Sequence, residues 1–291
     1  MAKFESAEIV RSEEGRQYHI GLAPGEVART CILVGDPARA TRISRLLQSV
    51  SPERRSREYV SYTGKWKGVP LTVLSTGIGC DNTEIAVIEY CQLVDRPTFI
   101  RCGSSGALKP EIQLGDLIVS TGAVRLESTS SYFVHDGYPA VGHHEVVLAL
   151  TEACAAARLP FHVGLTGSAA GFYGAQGRTV PGFAPRFPGL PAELERMNVL
   201  NLEMETSTLF VLSSLRGVRA GAVCAVYANR HSNVFIDSEQ KEAAEGRCIK
   251  AALGAVEVLA AMDRARGRSR YWRPSHGLAP GGKAGAGIKK R

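Results

Sequence analysis

No stretch of this sequence stays apolar for the ~18 residues that a membrane-crossing helix needs, so no membrane is expected among its partners. The first residues, Met1-Ala2-Lys3-Phe4-Glu5-Ser6, lack the apolar core of a secretory signal. Paired cysteines are missing too: the seven present are an odd number, scattered, with no CxxC spacing. Several sit in apolar runs, where a thiol behaves as a small hydrophobe. Neither a disulfide framework nor a zinc cluster is indicated, and the cytoplasm is the expected compartment. Acidic residues are absent from 264–291. Of 35 basic residues, nine lie there, leaving 26 to face 28 acidic ones in residues 1–263, a net of −2. The formal +7 therefore belongs to the tail, and the body is near neutral.

What is present is an ordinary globular composition, 44% hydrophobic and 22% charged, in a chain of 291 residues that can bury one large core or two modest ones. Residues 1–17 are polar and expected to be poorly ordered. Residues 264–291, rich in Arg, Gly, Lys and Ala, are expected to form a disordered tail. Between them strand and helix patterns alternate. Thr30–Val34 reads as a buried strand running into Gly35-Asp36-Pro37, with Asp36 as N-cap and Pro37 as first helical residue. Tyr59–Trp66 and Val69–Ser75 read as strands joined across Lys67-Gly68, and Asp81 with Glu84 as a capping box. Further strands are expected at 98–102, 112–121, 162–167 and 218–228, and helices at 145–157 and 238–262. Residues 122–142 are expected to be a loop region, and 179–191 a mobile lid. The fold class is α/β: one domain over 18–263 with a mixed central sheet.

Within this frame four polar clusters stand out, each at the C-terminal end of a strand, where open α/β sheets bind ligands. The first is Arg101, a permanent cation inside the apolar run Thr98–Cys102, followed by Gly103-Ser104-Ser105-Gly106. A buried guanidinium needs an anion. Either a phosphate sits on a Gly/Ser turn here, or an edge strand pairs its Arg with a local carboxylate; the segment alone leaves both open. The second is Gly35-Asp36-Pro37-x-Arg39, a strand feeding a helix N-terminus, where a first-turn cation is disfavoured unless an anion joins it. In the third, Phe172, Gln176 and Arg178 can hold a planar heterocycle, although spacing alone favours an ordinary surface loop. In the fourth, Glu203-Met204-Glu205 opens an apolar helix, and its carboxylates either complement the helix dipole or accept from a sugar diol. His143-His144-Glu145 has no third ligand at metal spacing and reads as a polar helix start.

Taken together, Gly35-Asp36-Pro37-x-Arg39, Ser75-Thr76-Gly77-Ile78-Gly79, Arg101-x-Gly103-Ser104-Ser105-Gly106, Phe172-Tyr173-x-x-Gln176-x-Arg178, Glu203-Met204-Glu205 and Asn229-Arg230 resemble the uridine phosphorylase family of the nucleoside phosphorylase superfamily. Six motifs in matching order over about 18–262 are far more specific than one. The resemblance implies an αβα sandwich around a distorted barrel. It implies a phosphate seat from Gly35, Arg39, Arg101 and Ser104, closed by Arg57 of a neighbouring subunit. It places ribose against Ser104, Met204 and Glu205, with the neighbour's His19 at the 5′-hydroxyl. The base would meet Ser105, Gly106, Phe172, Gln176, Arg178 and Arg230, with Arg101, Arg178 and Gln176 carrying the catalysis. Glu58, Ile78 and Asn82 match an interface site for a monovalent cation such as K+, although Asn82 stands where a serine is usual. No cofactor is required; inorganic phosphate is a co-substrate. The active unit would be at least a homodimer, and a hexamer is typical.

The implied reaction is phosphorolysis of uridine, or of deoxyuridine or thymidine, to uracil and the (deoxy)ribose 1-phosphate. Purine-acting relatives carry an Asp after the strand corresponding to 218–228, and Tyr227-Ala228-Asn229 has no carboxylate. Tyr227, bulkier than usual, is expected near the base. Gly174-Ala175 replaces a Pro-Gly, and Ser104-Ser105 a Thr-Thr. A nucleosidase of the same superfamily is the rival reading within the class, opposed by three guanidiniums that a water site does not need. Outside it, the rival is a nucleoside-binding or RNA-associated protein. Nucleic acid is not an expected partner, because the tail offers few stacking aromatics beyond Tyr271 and Trp272.

Overall fold

Thr30–Val34 forms strand β1 and turns through Gly35 into helix α1 (Pro37–Ser44). Asp36 caps that helix by accepting from the Ala38 amide at 2.8 Å, as expected. An antiparallel ladder follows: β2 (Arg54–Ser56), β3 (Tyr59–Trp66) and β4 (Val69–Ser75). Helix α2 (Cys80–Cys91) starts at Gly79 without a side-chain cap. The capping box expected of Asp81 does not form, because Asp81 already lies inside the first turn, where it accepts from the Thr129 hydroxyl.

Strand β5 runs from Thr98 to Ala107, well past Cys102. The stretch 103–106 is therefore strand and not the expected turn, held by parallel pairing with β10 (Arg219–Asn229) along its length. Gly103 serves close approach instead of a bend: a Cβ there would lie 2.8 Å from Arg101 Nη2 and 2.9 Å from Cys224 Sγ. Strand β6 spans Leu117–Leu126, so half of the expected strand and the start of the expected loop exchange roles. Pairing with β8 (Phe161–Ala169) recruits residues 122–126 to the sheet. The remaining elements are β7 (Ala140–Val141), α3 (His144–Ala156), α4 (Leu190–Arg196), β9 (Val199–Glu203), α5 (Thr206–Arg216), β11 (Val234–Phe235) and α6 (Ser238–Arg266).

Pairings β5–β10, β10–β6, β6–β8, β8–β9 and β9–β5 close a five-stranded barrel of mixed direction. From its β5 wall, β1, β4, β3 and β2 fan out as an open sheet. One core lies under α1, α3 and α6, and a second under α2 and α5, which makes three layers, αβα. Small residues set the helix spacing: a Cβ on Gly254 of α6 would sit 3.0 Å from Ala153 Cβ of α3. The site follows from a fork. Strand β5 has β1 beside it only through Arg101, and β9 only from Gly106. Residues 102–105 keep β10 on one side and open onto a gap on the other, a topological switch point.

This computed structural model describes residues 4–277. Helix α6 passes the expected boundary at Asp263, and the segment after it folds back: the Trp272 amide donates to Glu145 Oε1 at 2.8 Å and its ring packs on the core. Near the other end Gln17 is buried, and Arg16 donates to the Gly21 carbonyl and to Glu26. Residues 278–291, the rest of the expected tail, lie outside the described residues. No helix among the described residues is long and apolar enough to cross a membrane.

Candidate active site

The gap opens into a cavity of about 810 Å³, within the range of small-molecule sites. Its wall carries Gly35 and Arg39 from the β1–α1 junction and Arg101, Ser104, Ser105 and Gly106 from β5. Phe172, Gln176, Arg178, Met204 and Glu205 line it as well. Segments from across the sequence thus meet in one place.

Arg101 is buried and held by two carboxylates: Nε donates to Glu203 Oε2 at 2.9 Å, and Nη2 lies 2.5 Å from Glu205 Oε2. Of the two readings open for this residue, carboxylate pairing is present, yet in a central strand and inside the cavity. Burial disfavours the cation, but Glu205 and Glu203 outweigh it and raise its pKa. Burial in turn pushes the Glu205 carboxyl up, opposed by Arg101 and by the Gly79 amide, which donates to Glu205 Oε1 at 2.7 Å. Glu203 faces no solvent. It accepts from Arg101, from the Ser168 hydroxyl and from the Glu205 and Thr206 amides, so its role is to anchor.

Arg39 donates to the Cys102 carbonyl at 3.0 Å and, through Nη2, to the Tyr227 hydroxyl and Glu245 Oε2, both at 3.3 Å. Its Nε is buried with no partner among the described residues, as is the Ser105 hydroxyl. A bulge in β10 between Val226 and Ala228 gives Tyr227 its position. Its hydroxyl donates to Glu245 at 3.3 Å. Tyr227, which lines the cavity, is thereby tied to Arg39 and Glu245.

Arg178 lies over the Phe172 ring, 3.7 Å from its centroid, and donates to the Phe172 carbonyl and to Gln176 Oε1. Arg230 donates to the Gln176 carbonyl at 3.2 Å. Burial and the neighbouring Arg230 bring Arg178 down to about 10, and burial also lowers Arg230. Two crowded guanidiniums here favour an incoming negative charge.

Comparison with known proteins decides the kinship. Residues 29–260 match the phosphorylase superfamily. The uridine phosphorylase of Thermococcus kodakarensis is 46% identical across 94% of this chain and 98% of the relative. That of Escherichia coli strain K12 is 36% identical across 83% and 97%. A crystal structure of a Trypanosoma brucei nucleoside phosphorylase, described as showing uridine phosphorylase activity, matches with TM-score 0.78 at 28% identity, covering 84% of this chain and 98% of that one. This chain belongs to the phosphorylase superfamily.

Three residues expected in the phosphorylase site do not line the cavity of the single chain: His19, Arg57 and Arg230. Arg230 supports the loop from behind. His19 and Arg57 come together elsewhere, through Tyr18: Arg57 donates to the Tyr18 hydroxyl at 3.1 Å, and the Tyr18 and His19 rings meet edge to face. His19 Nδ1 lies 2.6 Å from Glu89 Oε1. Arg57, with φ +53°, sits at the tip of the β2–β3 hairpin. Glu58, Ile78 and Asn82 do line the cavity. They offer oxygen donors, yet no group of three His, Cys, Asp or Glu suited to a metal exists among the described residues. The sequence reading missed Phe235 and Lys241, which also line the cavity. Lys241 sits in the first turn of α6, its Nζ 5.8 Å from the Tyr227 ring centre. In sequence it is one more polar residue on a solvated helix start, and nothing marks it.

Proposed function

We propose that this phosphorylase-superfamily chain phosphorolyses uridine to uracil and ribose 1-phosphate. One observation carries the reading: Arg39 and Arg101, the buried carboxylate of Glu205, and Gln176 with Arg178 all line one cavity system. An anion at Gly35, Arg39 and Ser104, a sugar diol on Glu205 and an imide edge on Gln176 and Arg178 fill that system. Phosphate oxygen attacks the anomeric carbon as the C–N bond breaks, and the bonding pair leaves with uracil. The sugar passes through an oxocarbenium-like state between the phosphate and Glu205. Negative charge grows on the base where Arg178 waits for it. No side-chain nucleophile takes part; positioning and electrostatics do the catalysis.

Asn229 supports pyrimidine over purine. Its Nδ2 donates to the Lys109 and Ile112 carbonyls and its Oδ1 accepts from the His231 and Ser232 amides, so nothing remains to read a purine nitrogen. We assign Arg57 and His19 to the cavity of a second copy, in a homo-oligomer of two or more chains. Glu58, the Ile78 carbonyl and Asn82 would supply a K+ ion with oxygens from each of two copies. The free cysteines suit a reducing cytoplasm.

The test is base release from uridine, deoxyuridine, thymidine, cytidine, inosine and guanosine, with and without phosphate. Phosphate-dependent release, greatest from uridine, is expected. Equal release without phosphate would make the chain a nucleosidase, and a preference for inosine or guanosine would overturn the base assignment.

A further inference from the structure

A second cavity, about 1040 Å³, lies at the opposite end of the central strands, among Pro97 before β5, the start of β10, the C-terminal end of α5 and the N-terminal end of α3. The proposed reaction makes no use of it. Six arginines line it: Arg29, Arg96, Arg216, Arg219, Arg266 and Arg270. Asp95 and Glu145 are the acids on its wall. Arg219 is committed to Glu145 at 3.0 Å and to Asp263 at 2.8 Å, and Arg266 to Asp263 at 2.9 Å. Arg29, Arg96, Arg216 and Arg270 are exposed and have no ion pair among the described residues.

The position of Arg216 at the end of α5 suits that helix's dipole. Arg29 Nε donates to the Arg96 backbone carbonyl at 3.0 Å, which holds the Arg29 side chain on the turn that carries Arg96. Facing them is the start of the 13-residue α3, whose dipole also favours an anion. The basic run after Asp263 acquires a place here, since Arg266 and Arg270 belong to it. So do His143 and His144, which stack at 4.7 Å on the same wall, with Tyr271 5.8 Å from His144 and 47% exposed.

We propose that this cavity binds an extended oligophosphate through Arg29, Arg96, Arg216 and Arg270. A single phosphate would leave guanidiniums unmatched; a chain of phosphates can satisfy several at once, with charge-assisted hydrogen bonds. Two sources share that chemistry, an inorganic oligophosphate and a nucleoside triphosphate whose base lies on Tyr271.

The full chain is titrated calorimetrically with inorganic tripolyphosphate and separately with UTP, alongside the Arg96→Ala/Arg270→Ala chain. Both substituted residues are exposed, and equal thermal melting of the two proteins confirms that the fold is kept. The parent should bind one more oligophosphate per chain than the double variant, or bind it at least tenfold more tightly. UTP stronger than tripolyphosphate identifies the nucleotide as the source, and equal strength identifies the phosphate chain alone. Identical isotherms for parent and variant, or no binding by the parent, would overturn the proposal. Should the double variant melt lower, Arg216→Ala is read by the same criteria.

Discussion

Glu245, on α6, holds Arg39 of the first helix: Oε2 accepts from Arg39 Nη2 at 3.3 Å while Oε1 accepts from Arg42 at 2.7 Å. A buried carboxylate that never reaches the cavity thus aims the guanidinium that does. Glu245→Gln should raise KM for phosphate about tenfold, the loss of roughly one charge-assisted hydrogen bond, and leave KM for uridine unchanged. Initial-rate kinetics in both substrates separate the two. A rise in both constants would mean that Glu245 supports the fold and not the anion.

The anchoring of Arg101 makes a stability prediction. Glu203 is fully buried and accepts from four donors, so an amide in its place turns an NH2 toward groups that also donate. Glu205 still pairs Arg101, which keeps the penalty at the low end for a broken buried pair. Glu203→Gln should lose about 3 kcal/mol in denaturant unfolding. A loss within experimental error would show that Arg101 needs only Glu205.

His143 gives a pH dependence. Burial first, then His144, brings it from 6.5 down to about 4. The unfolded chain therefore binds a proton between pH 6.5 and 4 that the folded chain refuses, and stability should fall as pH drops through that window. His143 caps α3 by accepting from the Glu145 amide at 3.3 Å, a role asparagine also fills. His143→Asn should flatten the slope of melting temperature between pH 6.5 and 5, above the range where most carboxylates titrate. An unchanged slope would place the proton elsewhere.

Whether Arg57 serves the cavity of a second copy is open to a mixing experiment. Arg57→Ala and Arg178→Ala should each depress kcat by about a hundredfold or more, since each removes a donor aimed at charge in the transition state. Dissociated, mixed and reassociated, the two variants should recover about a quarter of parental activity if dimers form at random, because one cavity in each mixed dimer is complete. No recovery would mean that Arg57 serves its own chain.

Much of the site could be read from residue order, because its parts are local. A strand ending in Gly35-Asp36-Pro37 announces a capped helix whatever surrounds it, and Arg101 in an apolar run announces a buried cation. Helix starts at His144 and Ser238 and the stop at Gly217 likewise depend on neighbours a few positions away. What local pattern could not supply was the partner of each strand. Residues 103–106 look like a turn until β10 pairs with them, and 122–126 look like loop until β8 does.

The amino-acid order by itself determined which residues carry the charge, the stacking ring and the amide. Tertiary structure alone decided that Arg101 is clamped by Glu203 and Glu205, that Tyr227 belongs with Arg39, and that Lys241 reaches the cavity at all. The reason is distance along the chain. Arg39 and Tyr227 are 188 positions apart, and only a closed barrel with a bulge in β10 brings their side chains within a hydrogen bond.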